Sequence, residues 1–520
     1  MRKLLNLLLV VMMLAVLVPT ALAAPPAQEG GQDYVIVADD WLSKLADKYL
    51  GNPVAYPAIV NYTNRKSDED ASYARIDDPN LIEIGWKIYI PSAEEAARVL
   101  GGAPAEAVTI KWWSHWANEP SKVAVIEKIA ADYEAEHPNV DIEVVWWDKN
   151  PLRDVIRSTM TAGEGAPDIT TFDTSVIEWV EAGWLLDLTD VLPWENFIPA
   201  AQEDGVYAGI EGMYKFNIGS KVDMVLYNPD IFAELGIEVP DDFQFTQAEF
   251  TEVVQKCSAA GYAGVANAIG NRPHTGRRVT EDLLVPAVGI EEFGKLLRGE
   301  TSWDTPEVRK VLEWVVELRE AGMFPDVYAT LTIDEYHVYF HTQHKACMLF
   351  NPTWYSGRAF KAVEEGGQDP NWHFGMLRYP LVDGAQYPNQ LYGGFESGYA
   401  VLSQTKYPEV AKDILAFASQ PKYGALWVAV TNSPTAILYD QETDWPSDEL
   451  LAEMGYEAGM WDWYWEEFNK VYGPMEVVVT NEGRCGDFDD AEVSAINEGL
   501  PQGLITVDEA IEMLDAALCQ

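Results

Sequence analysis

Strands and helices alternate regularly in one stretch of the chain. Three apolar, β-like runs are each followed by a segment with helical periodicity, and in chain order these are residues 108–113, 121–136, 140–147, 152–162, 168–172 and 175–182. Such alternation predicts a parallel sheet with helices on both faces. Ligands of such sheets bind at the carboxyl ends of the strands. The loops at 114–118 and 173–174 are therefore the first candidates for a binding site.

The N-terminus has the order of features that is typical of a secretory signal peptide. Two basic residues precede an apolar run from Leu4 to Val18, and Ala21-Leu22-Ala23 supplies the small residues that a signal peptidase requires. The run is shorter than the roughly 20 apolar residues of a membrane-spanning helix. We therefore expect residues 1–23 to be removed, by cleavage after Ala23 or Ala24, and the mature protein to be soluble and extracytoplasmic.

The formal net charge of -48 at pH 7 restricts the partners of this chain. Binding to nucleic acid or to an anionic membrane surface depends on Lys and Arg, so neither partner is expected. The charge favours a soluble monomer. The 19 Trp and 25 Tyr residues suit stacking on the apolar faces of sugar rings.

Four cysteines occur, none of them in a metal-binding spacing: Cys257, Cys347, Cys485 and Cys519. Export permits disulfides, and four cysteines allow three complete pairings. No cysteine follows the signal region, so the sequence offers no acceptor for an N-terminal lipid anchor.

Residues 33–92 show a compact strand–helix–helix–strand pattern. Tyr34–Val37 is β-like, Trp41–Tyr49 and residues 55–62 have helical periodicity, and Lys87–Ile90 is a closing strand. With the turn Asp78-Pro79-Asn80-Leu81-Ile82, the unit resembles a LysM domain, the module that binds N-acetylglucosamine polymers such as peptidoglycan.

Two departures from the LysM pattern affect the expected ligand groove more than the fold. Residues 38–41 replace the usual turn, and residues 64–74 form a longer polar insert. A purely structural module is the alternative to wall binding. The small residues at 93–107 indicate a linker to the main body, residues 108–520.

Five motifs occur in order along the main body. They are Ala166-Pro167-Asp168 with Gly183-Trp184-Leu185, Leu226-Tyr227-Asn228-Pro229-Asp230, Trp303-Asp304-Thr305-Pro306-Glu307, Ala346-Cys347-Met348-Leu349-Phe350 with Trp354, and Gly393-Gly394 with Tyr399-Ala400-Val401. Together they resemble the extracellular solute-binding proteins of ABC importers, in the group that binds sugars and related polar solutes.

This resemblance implies a two-lobed α/β periplasmic-binding-protein fold of type II with an interlobe cleft. The expected lobe I is about residues 108–222 and 374–405, and lobe II is about residues 223–373 and 406–520. The expected crossovers between the lobes lie near residues 221–227, 371–378 and 403–407. Closure on the ligand is a hinge motion in such proteins.

The loop positions and the resemblance give nine candidate ligand contacts. They are Trp113, Trp116, Asn118, Asp173, Lys221, Trp354, Tyr355, Gly394 and Glu396. Aromatic faces stack on sugars, while charged and amide groups bond to hydroxyls. In the family, the tryptophan corresponding to Trp354 commonly stacks on the ligand. For Trp113, strand alternation makes a core position an equal alternative.

Three histidines, His337, His341 and His344, recur on one helical face at a spacing compatible with metal binding. They fall where the family has an ordinary helix, so we predict no metal and no cofactor.

A basic island of Arg272, His274, Arg277 and Arg278 interrupts the acidic chain. It could clamp a phosphate or carboxylate of the solute, or it could be a solvated loop.

These observations predict a binding protein without catalysis. It would capture a sugar, oligosaccharide or related polyol and deliver it to the membrane subunits of an ABC importer, tethered to the wall by the LysM-like unit. The alternatives are a secreted cell-wall-associated carbohydrate-active enzyme, and a binding protein for a sugar phosphate or another non-sugar solute. The 83 acidic residues make carboxylate pairs uninformative about an enzyme.

Overall fold

A computed structural model gives the conformation of most of the chain. The described residues are 31–100, 107–172, 178–202, 204, 211–272, 278–479 and 486–519. The expected signal peptide and its cleavage site lie outside them. Within this part of the chain, no helix combines the length and the apolar character that crossing a bilayer requires. The chain divides into two compact units, Met1–Glu106 and Ala107–Gln520.

The first unit has the predicted order of strands and helices. Its elements are β1 Gln32–Val35, α1 Leu42–Leu50, α2 Tyr56–Glu69, β2 Lys87–Ile90 and α3 Ala93–Val99. The two strands pair antiparallel, from Gln32 opposite Ile90 to Val35 opposite Lys87. Apolar residues from both strands and both longer helices, including Leu42, Leu45 and Ile88, form a core of their own.

Two local features of this unit differ from the sequence expectation. Helix α2 extends to Glu69, so half of the expected polar insert is helical. The expected linker begins with helix α3, because Ser92 and Glu95 form a reciprocal cap in which each side chain accepts from the other residue's backbone N–H.

The second unit contains ten strands among the described residues. They are β3 Val108–Ser114, β4 Val140–Trp146, β5 Ile169–Phe172, β6 Ser220–Tyr227, β7 Ala263–Ala266, β8 Ala346–Pro352, β9 Gly375–Leu377, β10 Gln390–Phe395, β11 Gly398–Val401 and β12 Glu476–Val479. They form two sheets. The four-stranded sheet has the order β11-β5-β3-β4, and the six-stranded sheet has the order β12-β10-β6-β8-β7 with β9 paired to β6.

Helices cover these sheets. The α-helices are α4 Pro120–Glu136, α5 Lys149–Ala162, α6 Glu178–Glu181, α7 Pro229–Leu235, α8 Gln247–Ala259, α9 Arg278–Val288, α10 Ile290–Leu297, α11 Pro306–Glu320, α12 Ile333–His341, α13 Ser356–Ala359, α14 Pro408–Ala418, α15 Pro421–Thr431, α16 Asp448–Glu453, α17 Asp462–Tyr472, α18 Gly486–Glu492, α19 Leu500–Gln502 and α20 Val507–Ala516. A π-helix, Val493–Gly499, connects α18 to α19. Single 3₁₀ turns include Thr353–Tyr355, directly after β8.

Local sequence signals explain where these helices begin. Pro120, Pro229 and Pro306 each occupy a first-turn position, where the missing N–H of proline costs no helical bond. Asn228 caps α7 through its side-chain oxygen. Thr332 and Glu335 form a capping box at the start of α12.

The parallel part of the four-stranded sheet confirms the alternating pattern of the sequence. Strands β3 and β4 pair in parallel over all seven residues, and β3 also pairs in parallel with β5. Strand β11 returns late in the chain and pairs antiparallel with β5. We call this sheet, with helices α4, α5, α14 and α15, the smaller lobe, and the six-stranded sheet with its helices the larger lobe.

Strand pairing corrects the expected lobe boundaries. Strands β9 and β10 pair with β6 and therefore belong to the larger lobe, although residues 374–405 were expected in lobe I. Helices α14 and α15 belong to the smaller lobe, because they supply partners to α4: Tyr133 donates to Asp413 at 2.8 Å and Tyr423 donates to Asp132 at 3.0 Å.

The crossovers are displaced accordingly. The chain first leaves the smaller lobe between Phe216, which bridges to Tyr399, and the start of β6. It returns between β10 and β11, at residues 396–397, rather than at 371–378. It leaves again after Leu438, which bonds to Asn196, rather than at 403–407.

One cysteine pairing is now defined. Cys257 at the end of α8 forms a disulfide with Cys347 near the start of β8. Cys519 is disulfide-bonded as well. Cys485 lies outside the described residues.

Candidate solute-binding site

A buried ionic cluster lies beside the second crossover. Lys122, near the start of α4, pairs with Glu119 at 2.7 Å and with Glu396 in the crossover. Ser433 donates to Glu396 at 2.8 Å. The larger lobe reaches the same cluster through Arg358, which lies 3.5 Å from Glu119. The cluster therefore connects both lobes at the point where the chain passes between them.

In this cluster, the pKa of each ionisable group depends on its burial and on the charges of its partners. Burial alone would raise the pKa of Glu119, but Lys122 and Arg358 outweigh it and the pKa is lowered. Burial raises the pKa of Glu396, because Lys122 compensates only part of the desolvation. Burial alone would lower the pKa of Lys122, but the two carboxylates outweigh it and raise the pKa. Each charge thus depends on its partners rather than on water.

Trp354 lies next to this cluster, in the turn that follows buried strand β8. Its side chain is half-buried. The guanidinium carbons of Arg278 and Arg358 lie 5.3 and 5.8 Å from its ring centre, within cation–π distance. This predicted contact combines a partly accessible aromatic ring with charged neighbours.

Arg278 links Trp354 to buried acids of the larger lobe. Its Nη1 lies 3.7 Å from Oδ2 of Asp223 on β6. Asp282, one turn further along α9, is also buried, and burial followed by the charge of Asp223 raises its pKa well above the usual value. Arg278 and Arg358 therefore place donors for hydroxyl groups beside Trp354, with buried acids behind Arg278.

Lys221 and Gly394 lie opposite each other on paired strands β6 and β10. The half-buried Lys221 places its Nζ 4.8 Å from the ring centre of Tyr392. The strand pairing therefore brings these two predicted contacts side by side, at the start of β6 and near the end of β10.

Trp113 and Asn118 lie in the smaller lobe, at the carboxyl ends of its strands. Trp113 is half-buried and its ring centre is 5.2 Å from that of Trp147. Asn118 is exposed and donates to Asp148 at 3.1 Å. Asp173 lies outside the described residues. As direct ligand contacts, these three remain predictions.

Trp116, Tyr355 and Glu396 are enclosed rather than open to a ligand, which corrects their expected placement. Trp116 is 2% exposed and lies between Tyr399 and Trp427. Tyr355 is fully buried and its hydroxyl bonds to His341 at 2.7 Å. Glu396 faces Lys122 instead of the cleft. In this structure, all three side chains are packed against other side chains of the protein.

Sequence reasoning missed Glu119, Lys122 and Arg358. One signal was available for Lys122: it falls on the same helical face as Val125, Ile126 and Ile129, all buried. A lysine on an apolar face requires a buried partner. The acids that supply one here are Glu119 and Glu396, and the second is distant in sequence.

The three histidines have structural partners. His337 lies 5.8 Å from the ring of Trp354, and burial lowers its pKa well below the usual value. His341 bonds to Tyr355 and to the carbonyl of Gly366, and burial lowers its pKa to about 4. Within the described residues, no group of three or more His, Cys, Asp or Glu side chains is arranged to hold a metal.

Comparisons with known proteins agree with this geometry. Residues 116–425 match the family described as bacterial extracellular solute-binding protein. An uncharacterized ABC transporter extracellular-binding protein of Pyrococcus horikoshii is 26% identical over 275 residues, which cover 49% of this chain and 57% of that protein. The chain thus matches little more than half the length of this curated relative.

Solved structures share the fold. A chitin oligosaccharide binding protein superposes with a TM-score of 0.63 at 19% identity, over 79% of this chain and 98% of that chain. The binding protein RafE in complex with raffinose gives a TM-score of 0.57 at 19% identity, over 79% of this chain and all of that chain (100%). This likeness confirms the predicted two-lobed α/β fold. Together with the family match, it shows that the chain belongs to the bacterial extracellular solute-binding proteins.

Proposed function

We propose that this protein captures a sugar, oligosaccharide or related polyol between its two lobes and delivers it to the membrane subunits of an ABC importer. The observation that carries the proposal is the setting of Trp354. A half-buried indole at the end of a buried strand, with guanidinium groups beside it, offers a stacking face together with donors for hydroxyl groups.

The comparisons support a carbohydrate as the solute. Two proteins that share this fold are named for chitin oligosaccharide and for raffinose. The likeness to them is one of fold, so the identity of the solute has to come from the side chains around Trp354 and from binding experiments.

The position of the ionic cluster supports a hinge between the lobes. Glu396 lies in the second crossover, and its backbone N–H donates to Gly219, next to the first crossover, at 3.1 Å. Hinge closure concentrates dihedral changes in a few connecting residues. We propose that closure turns about these segments and brings Trp113 and Asn118 of the smaller lobe toward Trp354.

A binding screen tests this function. The mature protein is heated with mono- and oligosaccharides, polyols, sugar phosphates and amino acids, and every ligand that raises the melting temperature is titrated by calorimetry. We expect at least one carbohydrate to stabilise the protein, because ligands that bind only the folded state raise its stability. Stabilisation by an amino acid or another non-sugar alone would contradict the sugar assignment.

We propose no catalytic step. The two carboxylates of the ionic cluster, Glu119 and Glu396, share one ammonium group and are enclosed, whereas a glycosidase needs an acid and a base placed on either side of a bond. A bound oligosaccharide should therefore be recovered intact after prolonged incubation. Shorter products on chromatography would instead favour a carbohydrate-active enzyme.

For the first unit we propose a second role, as a LysM-like tether to peptidoglycan. The turn after β1 and the turn before β2 lie side by side. The backbone N–H of Ile36 donates to the carbonyl of Trp86, and that of Gly85 donates to the carbonyl of Ile36, both at 2.8 Å. These turns expose Val37, Leu81 and Ile84, which are 53%, 68% and 72% accessible. Exposed apolar groups beside polar turns suit the apolar faces of a glycan chain.

Sedimentation with purified peptidoglycan tests the tether on the whole chain. We expect the protein to pellet with the wall, and the double substitution Leu81→Asp with Ile84→Asp to release it. Val363→Asp, at an exposed apolar position of the second unit, is the matched control. If the unmodified protein stays in the supernatant, the tether is wrong and free diffusion is the better account.

A further inference from the structure

Partly accessible arginines lie near buried acids in the region of Trp354. The acids Asp223 and Glu119 are buried, with side chains 1% and 7% exposed. Arg278, which pairs with Asp223, keeps 16% of its side chain accessible, and Arg272 is half-buried. Beside Trp354, the guanidinium group of Arg278 is therefore more accessible than the carboxylate it pairs with.

Backbone contacts hold Arg272 in this position. Gly270 donates to the carbonyl of Leu331 at 2.9 Å, and the side chain of Asn271 accepts from the backbone of Ile333 at 2.9 Å. These bonds fix the segment before Arg272 against the start of α12. Asp334, in the first turn of that helix, pairs with Arg358.

The charges of two other arginines, Arg358 and Arg153, act on Arg272. Burial lowers the pKa of Arg272, and the nearby charge of Arg358 lowers it further. Arg153, on α5 of the smaller lobe, has the same effect, while Glu119 and Asp334 oppose it. The charge of Arg153 in the smaller lobe thus acts on Arg272 in the larger lobe.

We propose that the solute carries an anionic group, a carboxylate or a phosphate, and that Arg272 and Arg278 bind it beside Trp354. The inference rests on the proposed function and narrows it to acidic sugars. Of the basic island predicted from the sequence, Arg278 lies beside Trp354 and Arg272 follows the segment that is held against the start of α12, whereas His274 and Arg277 lie outside the described residues.

The chemistry of arginine favours this assignment. A planar guanidinium bonds to carboxylate or phosphate through two parallel hydrogen bonds, which a point charge cannot do. The chain has 35 basic and 83 acidic residues, and its net charge repels anions at long range. An anionic solute would therefore need local arginines close to its binding position.

Matched titrations of the mature protein test the proposal. The members of each ligand pair share a sugar ring and differ at C6, where one of them carries an anionic group: glucose with glucuronate, galactose with galacturonate, and glucose with glucose 6-phosphate, with short oligomers of the first two pairs. Inorganic phosphate and a small dicarboxylate serve as anions without a sugar ring. We expect an acidic sugar to bind at least about tenfold more tightly than its neutral partner, and its affinity to fall as salt is added.

Substitution of Arg272 distinguishes a role in binding the anion from a purely structural role. Arg272→Gln should weaken binding of the acidic ligand at least about tenfold, and should change the affinity for the neutral partner by less than about threefold. Arg309→Gln, which removes a surface arginine paired with Asp304 and Asp508, is the matched control and should change neither.

Three results would overturn the inference or the function beneath it. A neutral sugar that binds as tightly as its acidic partner, with no salt dependence, contradicts the anionic assignment and leaves the sugar function standing. Equal weakening of both ligands by Arg272→Gln contradicts the role of this arginine. Binding of phosphate or the dicarboxylate but of no sugar supports the anion site and contradicts the sugar function. Comparison of the two uronates with glucose 6-phosphate also shows whether the site prefers a carboxylate or a phosphate.

Discussion

Lys122 and Glu396 form a buried ion pair that joins the first long helix of the smaller lobe to the second crossover. Glu119 completes the cluster from the residue just before that helix, and Arg358 approaches it from the larger lobe. This buried cluster contributes to the stability of the fold at the crossover, whereas Trp354 offers the candidate stacking surface for the solute. The stability and the binding behaviour of the protein should therefore respond to different substitutions.

Removal of the ammonium group should be costly. Lys122→Met leaves Glu396 buried without its cation and Glu119 with Arg358 alone, and breaking a buried pair in this way costs about 3–5 kcal/mol. Urea denaturation should show this loss in the free energy of unfolding. Lys256→Met removes an exposed partner of Glu252 one helical turn away and should cost only about 0.5 kcal/mol. Similar losses in the two variants would mean that the cluster adds little.

His341 should make the fold sensitive to mild acid. Burial holds its pKa at about 4, below the usual value of 6.5, so the unfolded chain binds a proton that the folded protein refuses. The stability of a fold that keeps this imidazole neutral is fully present above pH 6.5 and is lost as the pH falls toward 4. Between pH 7.5 and pH 5 the loss should be about 2 kcal/mol.

A comparison of pH profiles isolates this effect. Urea denaturation of the parent protein and of His341→Gln at both pH values should show a smaller loss in the variant, because glutamine cannot be protonated. Equal losses in the two proteins would assign the acid sensitivity to other groups, such as His337, whose pKa is also lowered by burial.

Loss of the indole at Trp354 should weaken binding without unfolding the protein. If the ring stacks on the solute, Trp354→Ala lowers the affinity more than tenfold, which is about 1.4 kcal/mol. Trp445→Ala removes an exposed tryptophan that lies outside the site and is the control. Calorimetric titration measures both variants. An unchanged affinity in Trp354→Ala would show that the binding site lies elsewhere.

The Cys257–Cys347 disulfide should contribute directly to stability. It closes a loop between residues 90 positions apart, which restricts the unfolded chain. Replacement of both cysteines by alanine should lower the free energy of unfolding by about 2–4 kcal/mol. Urea denaturation without reductant measures this loss, and solute affinity should stay unchanged because both sulfurs are buried away from Trp354. A stability equal to that of the parent would contradict this assignment.

Periodicity predicted the elements that are built locally. The strands at 108–114, 140–146 and 169–172 and the helices between them follow from apolar spacing, and the capped helix starts at Asn228 and Thr332 follow from residue type. The expected linker differed, because the Ser92–Glu95 cap stabilises a helix that the small residues after it obscured.

Sequence alone determined the class of this protein, its alternating α/β body and Trp354 as one of several candidate ligand contacts, because these depend on short-range patterns and on motifs in a fixed order. Only the tertiary structure decided which segments belong to which lobe, where the crossovers lie and that Glu396 faces Lys122 instead of the cleft. The physical reason is sequence separation: Lys122 and Glu396 are 274 residues apart, and no local pattern records which distant carboxylate compensates a buried ammonium group.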